Sequence, residues 1–263
     1  MTVIEAIILG IVQGLTEFLP VSSSGHIVLG EALLNTQSGD NLLFAVMVHL
    51  ATVLSTLVVF YKDILLLLKG LLKFEWNEEA KFALNIFVSM LPVLMVGLFF
   101  KEEVEQYFNG RIVFVGAMLL LTGLLLLVTM FATKKTNPLK PISAFLIGIA
   151  QAIAVLPGIS RSGATIATGL ILGINKAEIA RFSFLMVVPP IMGAALLDFK
   201  DYMEQPLAHS HGGMSLMAGF IAAFLTGLFA CKWMIEIVKK GKIQYFAYYC
   251  FAVGLITILI GLN

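Results

Sequence analysis

Long apolar segments alternate with short polar connections along this chain of 263 residues. A helix that spans a membrane needs about 20 consecutive, mainly apolar residues. Six segments approach or reach that length, at approximately 41–61, 82–100, 112–131, 182–199, 214–235 and 244–262. The pattern therefore predicts six transmembrane helices.

Two further apolar pieces, residues 3–35 and 141–173, are interrupted by the runs FLPVSSSGH and VLPGISRSG. Proline, glycine and hydroxyl residues in such runs break a helix. The arms that follow the breaks, about 23–35 and 160–173, reach roughly 20 Å at about 1.5 Å per residue. Because the hydrocarbon core is about 30 Å thick, each piece is predicted to be a re-entrant hairpin that leaves the membrane on the side it entered.

The two predicted hairpins resemble each other. A shift of 138 residues superimposes Gly10 on Gly148, Gln13 on Gln151, Ser22 on Ser160, Ser24 on Ser162 and Gly25 on Gly163. Because the matches fall at the breaks, the sequence predicts an internal repeat. We expect one membrane domain over residues 1–263, with repeats at about 1–131 and 139–263.

Lysine and arginine are unevenly distributed among the connections. They are concentrated in 62–81, 132–140, 174–181 and 232–242, whereas 101–111 and 198–213 hold few. The positive-inside rule places the first group in the cytoplasm. Both termini then lie outside, and the two hairpins enter from opposite sides. In transporters, the broken helices of such inverted repeats form the polar site near the membrane midplane.

Composition agrees with a membrane protein, since 59% of residues are hydrophobic and 13% are charged. That charged share is about half of what a soluble domain carries. A formal net charge of +1 without a basic run gives no surface for nucleic acid. Cys231 and Cys250 fall in apolar segments and are predicted to be small buried side chains.

Glu17 and Arg161 are the only charged residues at the two breaks. A charge at membrane depth costs at least about 2.5–3.5 kcal/mol, so each needs a partner or a wet cavity. The two side chains are expected either to lock the hairpins together or to form part of a polar site. His49, inside an apolar segment, either supports that site or hydrogen-bonds a neighbouring carbonyl.

Hydroxyl residues open the short helix after each break. A serine there is a good N-cap, but two helix N-termini beside an arginine also form an anion site suited to phosphate. Glu17 beside a phosphate suits a divalent cation or a proton acceptor. Gln13, one turn earlier, could bind the same cation, and His26 could exchange protons with a serine. These residues together predict phosphoryl transfer.

The runs QGLTEFLPVSSSGH and LPGISRSGAT, with FSFLMVVPPIMGA later in the chain, closely resemble motifs of the bacterial undecaprenyl-diphosphate phosphatases, the bacitracin-resistance family called BacA or UppP. The resemblance covers essentially the whole chain. It implies a lipid diphosphatase of the bacterial plasma (inner) membrane, which removes the terminal phosphate of a C55 isoprenoid diphosphate. It also implies dependence on a divalent cation, Mg²⁺ or Ca²⁺, and a site that opens to the outer face.

The resemblance also implies residue roles. Glu17 would be the essential acidic residue, Ser23 the nucleophile or a substrate-orienting hydroxyl, His26 the proton-transfer partner and Arg161 the diphosphate clamp. Further substrate-binding residues would be Ser22, Ser24, Gly25, Ser160, Ser162 and Gly163. Glu17 and Gln13 would hold the metal. Gln13 stands where many members have a second glutamate, and Ser24 where many have threonine, so the simpler metal site is Glu17 with the diphosphate itself.

The expected partners are the polyprenyl diphosphate substrate, membrane lipids and a second copy of the chain in a homodimer; bacitracin is expected to compete for the substrate. Two alternatives stay open. SSSGH is similar to the PSGH motif of the phosphatidic-acid phosphatase class, but the other motifs of that class do not occur in this sequence. Inverted repeats with broken helices are also typical of transporters, so lipid transport, alone or with hydrolysis, is the second alternative.

Overall fold

The computed structural model describes residues 1–34, 42–107, 111–132, 136–193 and 213–262. Within these ranges the chain is helical, and the one bridge between extended residues joins Asn137 and Ile174. The helices are α1 (Val3–Phe18), α2 (Ser23–Leu34), α3 (Leu42–Val59), α4 (Tyr61–Leu71), α5 (Glu78–Phe99), α6 (Lys101–Glu105), α7 (Ile112–Val128), α8 (Pro141–Ile153), α9 (Arg161–Ile171), α10 (Lys176–Met186), α11 (Gly213–Lys239) and α12 (Tyr245–Gly261). The predicted all-α class is confirmed.

Several of these helices are long and apolar enough to cross a membrane. In the described part, three meet the criterion: Glu78–Phe99, Ile112–Phe131 and Gly213–Lys239. A fourth arises if α3 and α4 count as one broken span, although they bend by 73° at their junction. α12 is apolar but has 17 residues. The chain is therefore a multi-pass membrane protein.

Two predicted spans differ from the observed helices. The segment predicted over 182–199 starts earlier, because α10 begins at Lys176 and ends at Met186, and a second helical stretch covers 188–193. Proline has no N–H and restricts the residue before it, which accounts for the interruption next to Pro189. Residues 194–199 lie outside the described ranges. The segment predicted over 41–61 ends as a helix at Val59, before the bend.

Both predicted breaks are confirmed. α1 ends at Phe18 and α2 begins at Ser23, whereas α8 ends at Ile153 and α9 begins at Arg161. The helices of each pair pack against each other. At about 1.5 Å per residue, α2 and α9 measure roughly 17–18 Å, well short of the hydrocarbon core.

Each hairpin is held by a helix from the other half of the chain. α1 packs on α11, and α8 packs on α5. Glycines allow these crossings: a Cβ at Gly14 would lie 2.5 Å from the carbonyl oxygen of Ala223 and 2.9 Å from the nitrogen of Gly227. Small residues at such contacts let two membrane helices approach closely. The crosswise packing brings the two breaks to one place.

Candidate active site

Two serines cap the short helices of the hairpins in the same way. Ser22 Oγ accepts the Gly25 N–H at 3.2 Å, and Ser160 Oγ accepts the Gly163 N–H at 3.1 Å. Each capping hydroxyl also lies 3.3 Å from the Oγ of the serine two residues later, Ser24 or Ser162. These hydrogen bonds therefore confirm that Ser22 and Ser160 are N-caps. The internal repeat recurs here as a repeated hydrogen-bond pattern.

The two breaks contact each other directly. Besides capping α2, Ser22 Oγ accepts the N–H of Gly158 at 3.1 Å. Ser22 has φ +70° and Gly158 has φ +97°, a conformation that costs a non-glycine residue free energy. Ser162 Oγ donates to the carbonyl of Leu19 at 3.1 Å, closing a second link between the breaks. The strained backbone at Ser22 thus places its hydroxyl between the two hairpins.

Thr122 on α7 anchors the second break. Its hydroxyl donates to the carbonyl of Gly158 at 3.0 Å and accepts the N–H of Ser160, also at 3.0 Å. The sequence did not predict this anchoring role, because a single threonine inside an apolar span has no distinguishing pattern. Thr122 orients the start of α9 and, through it, Arg161.

Glu17 lies at the centre of the site and is 7% exposed. Arg161 Nη2 donates to its Oε1, forming an ion pair. Its other oxygen, Oε2, accepts hydrogen bonds from Gln13 Nε2 at 3.0 Å and from Ser23 Oγ at 2.5 Å. The structure thus brings Glu17, Ser23 and Arg161 together as expected, and both carboxylate oxygens accept hydrogen bonds.

His26 has different neighbours from those that the sequence suggested. Nδ1 of His26 lies 2.8 Å from the Ser22 carbonyl, and its Nε2 lies 2.8 Å from the hydroxyl of Tyr249 on α12, whose ring stacks on the imidazole. Since Nδ1 must donate to a carbonyl, Nε2 of the neutral ring accepts from Tyr249. Both ring nitrogens of His26 are therefore occupied by groups other than Ser23 and Glu17.

His49 lies closer to the carboxylate. Its Nε2 is 3.9 Å from Glu17 Oε2, and its Nδ1 is 2.8 Å from the carbonyl of Ala45. The predicted hydrogen bond to a neighbouring carbonyl is therefore confirmed, and His49 also borders the site. Tyr249 was missed by the sequence, because one tyrosine among the aromatic residues of a span has no distinguishing pattern.

A narrow cleft, with a cavity volume of about 10 Å³, runs from the ion pair between α3 and α10; a space of that size admits roughly one water molecule. Its polar wall includes the hydroxyls of Thr52, Thr56 and Ser183, and Phe184 and Val187 contribute apolar surface. A diphosphate group and the first part of an apolar chain need surfaces of these two kinds.

Two buried polar atoms at the site have no hydrogen-bond partner in the described part of the protein. They are Arg161 Nη1, a donor, and Gln13 Oε1, an acceptor. Leaving such an atom unpaired is costly, so each is suited to a bound group. The donor fits a phosphate oxygen, and the acceptor fits a cation.

A divalent cation fits the residues present, but with few protein ligands. Among the described residues no group of three His, Cys, Asp or Glu side chains forms a ready metal site. Mg²⁺ is commonly bound by one or two protein oxygens together with substrate phosphates and water. A Glu17 oxygen and the unpaired Gln13 Oε1 satisfy that requirement.

Comparison with known proteins identifies relatives over the full length. The family model described as "Bacitracin resistance protein BacA" matches residues 6–256. The undecaprenyl-diphosphatase of Bacteroides fragilis (strain YCH46) is 55% identical over 258 residues, 97% of each chain. That of Christiangramia forsetii is 56% identical over 262 residues, 98% of each chain. A more distant one, from Alkaliphilus metalliredigens, is 38% identical over 276 aligned positions that cover all of both chains.

Proposed function

We propose that this chain, which belongs to the family of the bacitracin resistance protein BacA, hydrolyses undecaprenyl diphosphate to undecaprenyl phosphate and inorganic phosphate. The reaction recycles the lipid carrier for peptidoglycan and other wall polymers. The main structural support for the proposal is that Glu17, Ser23 and Arg161 meet at the N-termini of two helices from opposite halves of the chain. Helix N-termini and an arginine bind phosphate, and a carboxylate-bound serine is an activated nucleophile.

Binding of the diphosphate uses the two helix starts. Arg161 donates to the terminal phosphate through its unpaired Nη1, and free backbone N–H groups in the first turns of α2 and α9 donate to the same oxygens. Ser24, Ser162, Gly25 and Gly163 line this cradle, and Ser22 and Ser160 shape it as N-caps. The polyprenyl tail remains in the lipid while the head group occupies the cleft.

Phosphoryl transfer then proceeds from Ser23. Its Oγ attacks the terminal phosphorus in line, and its proton passes to Glu17 Oε2 and on to the leaving phosphate oxygen. The bond to that oxygen breaks, releasing undecaprenyl phosphate, and water hydrolyses the phosphoserine while one of its protons returns to Oγ. Direct attack by a water that Glu17 activates is the alternative. Trapping a labelled phosphate on Ser23 distinguishes the two routes.

His26 takes part through Tyr249. Because Nε2 of His26 accepts from the Tyr249 hydroxyl, proton exchange between His26 and the leaving oxygen would pass through that hydroxyl. The pair would then act as a relay beside the first turn of α2 rather than as the base for Ser23.

Replacing Glu17 by glutamine or Arg161 by alanine tests the function. Loss of a general base typically lowers the rate by about 10²–10⁴-fold, and loss of the clamp removes charge stabilisation of the transferred phosphoryl group. Phosphate release from undecaprenyl diphosphate is measured with protein purified in detergent. Glu236→Gln and Arg111→Ala, which change exposed residues of the same types, serve as matched controls. Wild-type turnover by both site variants would remove the proposal.

Mg²⁺ or Ca²⁺ is the proposed cofactor, held by Glu17 and Gln13 Oε1 together with the diphosphate. When bound, it would neutralise charge on the phosphate oxygens. The variant Gln13→Glu adds a second carboxylate, so we expect the cation concentration for half-maximal activity to fall. A measurement without turnover, the shift in unfolding temperature with added Mg²⁺, should move in the same direction. An unchanged cation dependence in both assays would exclude Gln13 as a ligand.

The proposed layout has six crossing segments and two re-entrant hairpins of inverted orientation, with both termini and the active site on the outer face of the plasma membrane. The crosswise packing of α1 on α11 and of α8 on α5 supports it, as does the lysine-rich character of 62–81 and 232–242. A homodimer and competition by bacitracin for the lipid diphosphate remain predictions.

Transport of a lipid phosphate is the second candidate function, and the same crosswise arrangement of broken helices favours it. In detergent no membrane separates two compartments, so transport of a lipid cannot be observed there. Phosphate release in detergent therefore supports hydrolysis, and binding of the lipid diphosphate without phosphate release would favour transport.

A further inference from the structure

Helix α4 is not part of a straight span. It follows α3 after a single residue, bends away from it by 73° and contains 11 residues. At about 1.5 Å per residue it is roughly 16 Å long, which is too short to cross a bilayer. A short helix that turns by this angle at the end of a membrane helix is in a position to lie along the membrane surface.

The outer side of α4 has two distinct faces. One is an apolar stripe of residues that are each at least half exposed: Tyr61, Leu65, Leu68 and Leu72. Their spacing of four, three and four places them on one side of a helix. Beside this stripe, about a quarter turn away, lie the exposed lysines Lys62, Lys69 and Lys73. Leu66 is also 53% exposed but lies on the side of the lysines.

The remaining face of α4 is packed against the protein. Leu67 and Gly70 are buried, and Asn77 Nδ2 donates to the carbonyl of Gly70 at 2.9 Å. Asp63, the acidic residue of the helix, lies 2.7 Å from Nε of Arg181 and is thereby neutralised. The lysines are the charges that α4 presents outward.

Two aromatic side chains continue the exposed surface beyond α4. Phe74 is 93% exposed and has φ +52°, and Trp76 is 69% exposed. A bulky side chain at positive φ is strained, and full exposure of a phenylalanine to water adds to the cost. Tryptophan and other aromatic rings are favoured at the boundary between lipid headgroups and acyl chains. In the sequence, the exposed Glu75 stands between Phe74 and Trp76. The next acidic residue, Glu78, is paired with Lys81.

We propose that residues 61–76 form an interfacial anchor, with the apolar stripe and the two aromatic rings in the acyl-chain boundary and the three lysines on anionic phospholipid headgroups. Apolar side chains flanked by lysines that reach toward headgroups are the arrangement of helices lying in the interface. Charge favours this partner over a second copy of the chain. A two-fold contact between antiparallel copies of α4 through the apolar stripe would place both lysine rows on the same side of the pair, where they repel each other.

Quenching of Trp76 by brominated lipid tests contact with the membrane. The chain contains two tryptophans, so Trp233→Phe leaves Trp76 as the only one. Reconstituted in vesicles, this variant is expected to lose most of its emission when bromines sit at the upper acyl chain, and less when they sit at the chain end. Unquenched emission at both depths would overturn the proposal. Emission that is unquenched at high protein density and becomes quenched only on dilution with lipid would also overturn the proposal, because a second copy of the chain would then cover this face.

The lysines are tested by lipid preference. Brominated phosphatidylglycerol and brominated phosphatidylcholine are compared at equal, small mole fractions in phosphatidylcholine vesicles. We expect stronger quenching by the anionic lipid, since each lysine favours it by about fivefold, and loss of the preference in Lys62→Gln/Lys69→Gln/Lys73→Gln. The matched control, Lys239→Gln/Lys240→Gln/Lys242→Gln, should keep it. Equal quenching by both lipids in the Trp233→Phe protein would contradict the proposed contact of the lysines with anionic headgroups. Loss of the preference for the anionic lipid in both triple variants would contradict it too. Bromines are placed in both leaflets, so the result depends on neither the orientation nor the activity proposed above.

Discussion

At the scale of single residues, the central contact of the site was accessible from sequence. Glu17 and Arg161 are charges in apolar surroundings, and the cost of burying either alone required a partner. Their pairing through the Glu17 carboxylate is what the structure shows. Tyr249 was not accessible, because it lies 223 residues from His26 and its ring is an ordinary component of an apolar helix. Long-range contacts of uncharged side chains leave no local trace in a single sequence.

Tyr249→Phe tests the relay at this scale. The substitution keeps the ring that stacks on His26, with centroids 5.6 Å apart, and removes only the hydroxyl. A single hydrogen bond is worth about 0.5–1.5 kcal/mol, so kcat should fall by roughly 2–10-fold with little change in KM. Steady-state phosphate release measures both constants.

Tyr248→Phe on the same helix is the matched control, since Tyr248 is exposed. The double variant His26→Gln/Tyr249→Phe should lose no more activity than His26→Gln alone, because the two residues would act as one unit. Additive losses, or a Tyr249→Phe enzyme with wild-type kcat, would show that the stacked pair has no role in turnover.

At the scale of helices, the breaks were predicted better than the spans. Proline, glycine and consecutive serines mark a break locally, so both breaks were placed correctly. The predicted span ended at residue 61, close to the bend, but helix α4 within the predicted connection 62–81 was missed. What distinguishes α4 is the direction of its faces, which depends on packing against α5. Hydropathy averaged over a window does not carry that information.

Gly158→Ala tests how the breaks are held together. An alanine at φ +97° is strained by about 1–2 kcal/mol, and its Cβ would lie 2.5 Å from the carbonyl of Val115 and 2.7 Å from Met118 Cβ. The shift would disturb the N–H that Ser22 accepts. We therefore expect a lower unfolding temperature and reduced phosphate release from the folded fraction.

The two buried cysteines, Cys231 and Cys250, allow unfolding to be followed with a thiol-reactive dye. Gly97→Ala is the control, because a Cβ at Gly97 meets nothing within 4 Å and alanine is the better helix former. This control should unfold at or slightly above the wild-type temperature. If Gly158→Ala unfolds at the same temperature as the control and retains full activity, the backbone at this break tolerates a side chain and the contact between Gly158 and Ser22 is not needed to hold the breaks together.

At the scale of the whole molecule, the site depends on packing between the two halves of the chain, because each hairpin packs on a helix of the other half. Neither hairpin alone holds both the acid and the guanidinium, since Glu17 lies in the last turn of the first helix of one and Arg161 opens the second helix of the other. The two repeats therefore differ at the positions of the proposed chemistry: Ser23 corresponds to Arg161 under the same shift, while the capping serines are retained. An inverted arrangement accounts for this, because it lets two similar hairpins present different side chains to one point from opposite sides.

That arrangement predicts which surfaces each side of the membrane can reach. In a background without Cys231 and Cys250, single cysteines are placed at Arg111, Lys140, Lys240 and Leu262, all of which are exposed. A membrane-impermeant maleimide added to intact spheroplasts should label positions 111 and 262, whereas 140 and 240 should react only after the membrane is opened. Position 140 is decisive because it precedes α8, and its protection places the start of the second hairpin in the cytoplasm. Labelling of 140 and 111 from the same side would make the hairpins parallel, and the two helix N-termini would then have to reach Glu17 from one leaflet.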